Sequence, residues 1–500
     1  MCLCTESVGE SCLILIGDAE GTGWTMGSER RKVVIVGGGI TGLSAAFYTR
    51  KLFEENQIPV DITLVEKSEQ LGGKIRTLHR DGFVIEKGPD SFLARKLSVI
   101  TLVKELGLEE ELTATNPHAI TNYILHKGKL HPMPLGLVLG IPTAVSPFIK
   151  TGLISPAGKI RAALDLLLPR KEDAKDESLG SFIERRLGRE VLENITEPLL
   201  AGIYAGDTQF LSLQATFPQF KQIEQKHRSL ILGMLAGKNQ SHNVNGLPDI
   251  ARKSMFLTFK RGLITLIDRL VESLQSIRMI TGQGVVQIIR DGGDYKLKLD
   301  QGTELQADGL ILALPAFEAA KFIPELPEAR WLEQVTYASV ANIALAYKQE
   351  DISFPLNGSG FVIPRNEGRM ITACTWSSSK WLHAAPPGTV LLRTYVGRSN
   401  SQEWMRLSDQ ELLSGVWADL KDTMEIAAEP VFFEITRCFR SMPQYPVGHN
   451  ERLKKLGVQL RNYKPGLFVC GAGYGGVGIP DCIQQGKDAA EQMLTFAQSM

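Results

Sequence analysis

The chain has 500 residues, enough for about three domains with ample core. Its 55 Lys and Arg match 55 Asp and Glu, so no net field recruits nucleic acid and none is expected as a partner. Seven scattered cysteines show no paired zinc spacing, which excludes a cysteine metal site and suggests free thiols in a reducing, cytoplasmic setting.

No apolar run has the length of an uninterrupted transmembrane helix. Residues 1–28 lack a basic n-region, and Leu13-Ile-Leu-Ile16 is too short for a signal core. They are expected to be disordered or a start-site extension ahead of Met26.

Lys32-Val-Val-Ile-Val-Gly-Gly-Gly-Ile-Thr-Gly42 organises the rest. Residues 32–36 read as a strand buried on both faces, followed by G-x-G-x-x-G and a helix. Gly37, Gly38, Gly39, Ile40, Thr41 and Gly42 therefore form a candidate phosphate-binding turn. Its glycines give a tight turn and close approach, and the helix end offers unpaired N–H groups. A second strand, 61–65, ends on Glu66, which lies 24 residues after Gly42, near the spacing of a ribose-binding carboxylate. Lys67, Gly73 and Lys74 follow in Glu66-Lys-Ser-Glu-Gln-Leu-Gly-Gly-Lys74, where paired glycines let backbone lie close to an extended cofactor. Next comes Gly82-Phe-Val-Ile-Glu-Lys-Gly-Pro-Asp-Ser-Phe92, with Gly88, Pro89, Asp90 and Ser91. The E-x5-G-G-[KR] and E-x-G-P stretches resemble those of the flavin-containing amine oxidase superfamily, which implies FAD.

A helix through Leu106 stops at Gly107. Residues 123–131 read as a hairpin turning at Lys127-Gly-Lys129. The apolar, proline-broken segment 132–169 reads either as an interior helical subdomain or as a shallow membrane-facing surface or the wall of a channel for an apolar substrate. Helices are expected over 157–168, over 178–187 and from 225. Gly202 and Gly206 flank Ile203 and Tyr204, which suits a flat ligand or close helix packing. Residues 237–248 read as a polar loop. A helix begins at Gly262, a hairpin turns at 291–294, and 309–315 is a buried strand. The return places Val285 or Val286 toward an adenine. Alternating strands and the helix 409–424 suggest a mixed sheet between 316 and 449. Last come Gly466-Leu-Phe-Val-Cys-Gly-Ala-Gly-Tyr-Gly-Gly-Val-Gly-Ile-Pro480 and a helix whose N-terminus lies near Gly478, Ile479 and Pro480. Such a positive end stabilises charge on a flavin pyrimidine by roughly 0.3–2 kcal/mol.

Gly88-Pro-Asp-Ser-Phe-Leu93, Glu197-Pro-Leu-Leu-Ala-Gly-Ile-Tyr-Ala-Gly-Asp207, Ser441-Met-Pro-Gln-Tyr445 and Gly476-Val-Gly-Ile-Pro-Asp-Cys-Ile483 match in order, so the chain resembles the porphyrinogen oxidases of haem biosynthesis, in their Gram-positive coproporphyrinogen III and protoporphyrinogen oxidase group. The resemblance spans about residues 31–498. It implies an α/β fold: an FAD-binding Rossmann-like domain (29–94, 261–310, 450–500), a mixed-sheet substrate domain (95–122, 231–260, 311–449) and an inserted helical domain (123–230). The helical domain approaches the membrane in relatives, so peripheral contact with the inner face of the cell membrane is an expectation. The implied chemistry is oxidation of a porphyrinogen by FAD, with dioxygen as acceptor and peroxide as by-product, feeding a downstream ferrochelatase. Protoporphyrinogen IX oxidation, or another flavin amine or carotenoid oxidation, is the alternative. Lys96, with Arg95 beside it, matches the basic position that meets a propionate; Gly202 and Ile203 match the pair near the ring. No general base is singled out. Arg437-Cys438 stands where relatives carry Arg-Trp.

Overall fold

The computed structural model describes residues 30–138, 140–142, 144–173, 175–238 and 247–500. The expectations for 1–28 and for most of the loop 237–248 lie outside the described residues.

A five-stranded parallel sheet holds the first motif. Its order is Arg278–Ile280, Val60–Val65, Arg31–Val36, Gly309–Leu312, Leu467–Val469. Val33 to Val36 are at most 5% exposed because both faces are covered. The helices Ile40–Glu55, Ile264–Ser273 and Ile479–Gln498 pack on one face. The antiparallel sheet Val285–Asp291, Asp294–Leu299, Glu304–Ala307 and the helices Pro327–Gln334 and His449–Tyr463 cover the other. Chain order reverses on either side of Arg31–Val36, so the crevice at its carboxyl end is the expected ligand site.

A seven-stranded mixed sheet forms a second layer, in the order Phe432–Pro443, Tyr337–Lys348, Thr389–Val396, Ile371–Trp376, Gly358–Val362, Thr121–His126, Lys129–Pro132. The helix Asp409–Met424 covers one face, opened by a Ser408–Glu411 capping box. A third core is helical, built from Leu179–Leu187, Glu197–Tyr204, Pro218–His227 and Leu230–Lys238 with their neighbours. Within it Arg186 and Asp165, both fully buried, pair at 2.5 Å.

Packing departs from the expected domain boundaries. The helix Leu97–Glu105 buries Val99, Ile100, Leu102 and Val103 in the dinucleotide-binding core, not in the mixed-sheet domain. Leu257 and Phe259 join that core too. The hairpin near 123–131 is the edge of the mixed sheet: Leu125 faces the sheet core while Ile124 faces the helical core. Residues 311–335 remain with the parallel sheet, because Ala316, Ala319, Leu326 and Leu332 bury against its second face. The helix expected from 225 starts earlier, at Pro218, and breaks at Arg228 (φ +64°) before Leu230–Lys238. Proline at the first turn fixes the earlier start. No helix among the described residues is long and apolar enough to cross a membrane.

Candidate functional site

The three motif glycines carry different constraints. Gly37 has φ +109°, and a Cβ there would lie 2.4 Å from the Ala313 carbonyl oxygen. A Cβ on Gly42 would lie 1.8 Å from the Gly37 oxygen. Both are required by the chain itself. Gly39 is not: its backbone (φ −73°, ψ 177°) suits any residue, and nothing lies within 4 Å of a Cβ built on it. Glycine at 39 is explained by a group that comes against the backbone from outside the chain. The helix Ile40–Glu55 has no side-chain cap and no acidic residue in its first turn, although Ile40, Thr41 and Gly42 are buried. Buried, uncapped N–H groups at a helix start require an acceptor, and a pyrophosphate provides one. The residues fit FAD.

Glu66 stands at the end of the neighbouring strand. Its carboxylate accepts from Gly38 N–H at 2.6 Å and Ser68 N–H at 2.8 Å, which aims it while leaving lone pairs for ribose hydroxyls. Gln283 N–H donates to the Glu66 carbonyl, and Gly284 packs against the Lys67 stem, bringing the 283–286 turn alongside. Val286 is 57% exposed at a bulge of its strand, free to cover an adenine. Gly73 has its role within the protein: a Cβ there would meet Gly39 Cα at 3.2 Å, so the second glycine pair packs on the first loop. Lys74 donates to the Ser441 carbonyl. It retains accessible surface, yet surrounding protein desolvates its ammonium and lowers its pKa. Lys74 therefore lines an internal cleft, not the outer surface.

The Gly88–Ser91 stretch is tied to the mixed sheet. A Cβ on Gly88 would sit 2.0 Å from the Lys74 carbonyl oxygen, and the Gly88 carbonyl accepts from Arg393 at 2.7 Å. Pro89 carries the chain on to Asp90, which accepts from Lys380 Nζ at 2.9 Å, from Trp381 Nε1 at 3.3 Å and from Ser91 Oγ at 2.8 Å. Arg393 lies 3.8 Å away. Asp90, steadied by Ser91, thus joins two domains through protein contacts.

Glu86, just before them, is 7% exposed and accepts from Leu263 N–H and Thr77 Oγ1. Burial pushes its carboxyl up to about 7, outweighing those hydrogen bonds and Arg393; Asp90 adds to the rise. The folded value stands above the ordinary 4.5, so the proton-linked stabilisation is complete below that pH and is lost as pH rises through about 7. The difference amounts to roughly 3 kcal/mol. The native protein's thermal midpoint is expected to fall between about pH 5 and 8 and Glu86→Gln to flatten that fall; parallel pH curves for the two would refute this.

At the other wall, the helix Ile479–Gln498 starts at an uncapped Gly478, with Pro480 in its first turn. It crosses the first helix closely: a Cβ on Gly486 would lie 2.5 Å from the Thr41 carbonyl oxygen. The start of the first helix therefore packs against the third turn of the last. Ser98 Oγ donates to the Pro480 carbonyl at 2.7 Å, and Lys96 Nζ pairs with Asp481. Lys96 is thus engaged within the dinucleotide-binding domain, at the start of its last helix, while Arg95 is exposed and has no ion-pair partner among the described residues. Asp481 is near enough to Tyr204 for its charge to help burial raise the phenol. Gly202 and Ile203 stand open beside it: nothing lies within 4 Å of a Cβ on Gly202, and Ile203 is 40% exposed.

Sequence reasoning passed over Glu86, Lys380, Arg393, Asp481 and Arg365. Glu86 stands in the E-x-G-P stretch and Asp481 in the first turn of the last motif helix, yet neither had a role assigned; Lys380, Arg393 and Arg365 carried no local signal. Cys438 is half-buried on the edge strand opposite Val340. Burial raises its thiol, and Lys74, Arg76 and Lys87 draw it back down, so it lies by the Lys74 cleft. No cluster of three metal-ligating side chains occurs among the described residues.

The model for the family described as flavin containing amine oxidoreductase matches residues 40–494. Coproporphyrinogen III oxidase of Bacillus subtilis (strain 168) is 48% identical, over 94% of this chain and 99% of its own. Protoporphyrinogen oxidase of Bos taurus is 32% identical over 93% and 98%. A solved structure described as a candidate protoporphyrinogen oxidase of Exiguobacterium sp. 255-15 superposes with TM-score 0.84 at 36% identity, over 94% of this chain and 100% of its own. With the glycine turn, the uncapped helix ends and the second glycine pair in place, the chain belongs to the flavin containing amine oxidoreductase family, in its porphyrinogen oxidase branch, and its cofactor is FAD.

Proposed function

We propose that the protein oxidises coproporphyrinogen III to coproporphyrin III in haem synthesis, with dioxygen as acceptor and hydrogen peroxide as by-product. The observation that carries this is near-full-length identity of 48% with a coproporphyrinogen III oxidase. Likeness to a protoporphyrinogen oxidase supports protoporphyrinogen IX as a second substrate. When bound, FAD supplies the two-electron acceptor that a six-electron oxidation uses three times.

The chain's part is grip, orientation and charge. Gly37 to Gly42 hold the pyrophosphate, Glu66 the ribose, and Val286 the adenine. Lys67, Gly73, Lys74 and the Gly88–Ser91 stretch form the neighbouring wall. Gly478, Ile479 and Pro480 present a positive helix end to the ring. Gly202 and Ile203 form the opposite face, over which a flat tetrapyrrole is placed. Lys96 orients a propionate. Its ammonium has three donors, so the bond to Asp481 leaves two for substrate, and a charge-assisted hydrogen bond contributes about 1.5–3 kcal/mol. The helical domain meets a membrane surface, and the product passes to a ferrochelatase.

Purified yellow protein should bleach anaerobically with coproporphyrinogen and form fluorescent porphyrin on admitting air. Failure to bleach with either porphyrinogen, or bleaching only with an amine, would overturn the reading. Lys96→Ala should raise KM about tenfold to a hundredfold with a smaller fall in kcat. An unchanged KM would remove Lys96 from substrate binding.

A further inference from the structure

We propose that Arg365 is a positioning residue for the Gly202–Ile203 wall, acting through the helix Glu197–Tyr204 that carries it. The inference rests on the porphyrinogen reading for what that wall faces. The clamp itself is geometric. Arg365 Nε lies 2.5 Å from Glu197 Oε1, at the first residue of the helix. Its NH2 donates to the Gly206 carbonyl at 2.7 Å, two residues beyond the last. Its NH1 donates to Asn400 Oδ1, and Asn400 Nδ2 donates to Asp207 Oδ2 at 3.2 Å. One guanidinium from the mixed-sheet domain therefore holds both ends of one short helix.

That helix needs an outside hold. It is entered through a five-residue π turn, Leu192–Thr196, with Pro198 in its first turn. It is left through Ala205 at φ +47°, a conformation unfavourable for a residue with a Cβ. Its terminal carbonyls have no partners within the helix. The last carbonyl of the helix and the two after it are taken by the mixed-sheet domain: Tyr204 by Gln444 Nε2 at 2.8 Å, Ala205 by Ser399 N–H at 2.8 Å, and Gly206 by Arg365. The wall thus takes its position from the opposite domain.

The competing reading is that Arg365 and Arg398 bind a substrate carboxylate. The charges speak against it. Two guanidiniums, Arg365 and Arg398, meet two carboxylates, Glu197 and Asp207, leaving no surplus. Arg398 is turned inward onto the Ile363 carbonyl at 2.5 Å. Burial, with Arg365 nearby, pushes Arg398 down to about 10.

The test uses holoenzyme carrying Arg365→Lys, Glu197→Gln, or both. Lysine keeps the charge but cannot reach two sites at once. Arg365→Lys should raise KM for coproporphyrinogen about tenfold while kcat stays within about twofold. Amide exchange over 197–207 should quicken while exchange over 40–55 and 479–498 is unchanged. The double variant should add little to either single one, since both cut the same link. Unchanged KM and exchange in Arg365→Lys would overturn the proposal. So would a fall in kcat alone, or a rise in exchange throughout the molecule. Should native protein form no porphyrin, the substrate reading fails, and the local exchange pattern still decides the clamp.

Discussion

Replacing Gly39 by valine is expected to leave the apoprotein folded and to strip it of flavin. The backbone at 39 is one that any residue adopts, and a Cβ there meets no protein atom within 4 Å. The substituent occupies the space where the pyrophosphate must approach the uncapped start of Ile40–Glu55. Overfilling a close contact costs about 1–3 kcal/mol, which lowers FAD affinity roughly tenfold to a hundredfold. Flavin titration followed by quenching of its fluorescence measures the loss, and the apoprotein's thermal midpoint serves as the control. Gly42→Ala is the contrast, since its methyl would sit 1.8 Å from a backbone oxygen and damages the turn itself. Equal flavin affinity in the native protein and Gly39→Val would refute the placement of the phosphates.

Asp90→Ala should destabilise the whole molecule by about 3–5 kcal/mol, because it strands charges that are out of water. Arg393 is 2% exposed, and the side chains of Asp90 and Lys380 are 17% and 16% exposed. Burial alone would raise the Asp90 pKa; Lys380 and Arg393 outweigh it and hold the carboxyl well below its ordinary range. Its stabilisation is therefore present above about 3.8 and is lost as pH falls toward the depressed folded value. Urea denaturation at pH 7 should show the deficit in full, and the gap between native and variant protein should narrow at strongly acid pH. Asp90→Asn retains an acceptor for Trp381 and should fall between. A deficit below about 1 kcal/mol at pH 7 would place the three groups in water.

The two cases divide what sequence can and cannot convey. The glycine turn, Glu66, the Gly72-Gly73 pair and the start of the last helix were legible because each depends on near neighbours in the chain: a strand, a turn and a helix end, with fixed spacing. The range Asp409–Met424 and the helix beginning at Ile479 are legible for the same reason: Ser408 and Glu411 mark the first locally, and a glycine turn with proline in the first helical turn marks the second. Asp90 was noticed as part of a motif, but its partners Lys380 and Arg393 were not, since nothing local marks a lysine 290 positions away as its counter-ion. Lys96 was recognised, whereas its engagement by Asp481 spans 385 positions and could not be.

The sequence alone determined that a dinucleotide is held by a parallel-sheet domain, because the needed groups are main-chain amides within a dozen residues. It also carried the likeness to porphyrinogen oxidases, through motifs that keep their order. Only the tertiary structure decided where the domains part, with Leu97–Glu105 joining the first core and Thr121–His126 the mixed sheet. It alone brought Arg365 to both ends of Glu197–Tyr204. Burial and long-range charge pairing are set by which surfaces meet, and that choice is made by the packed chain as a whole, not by any stretch of it.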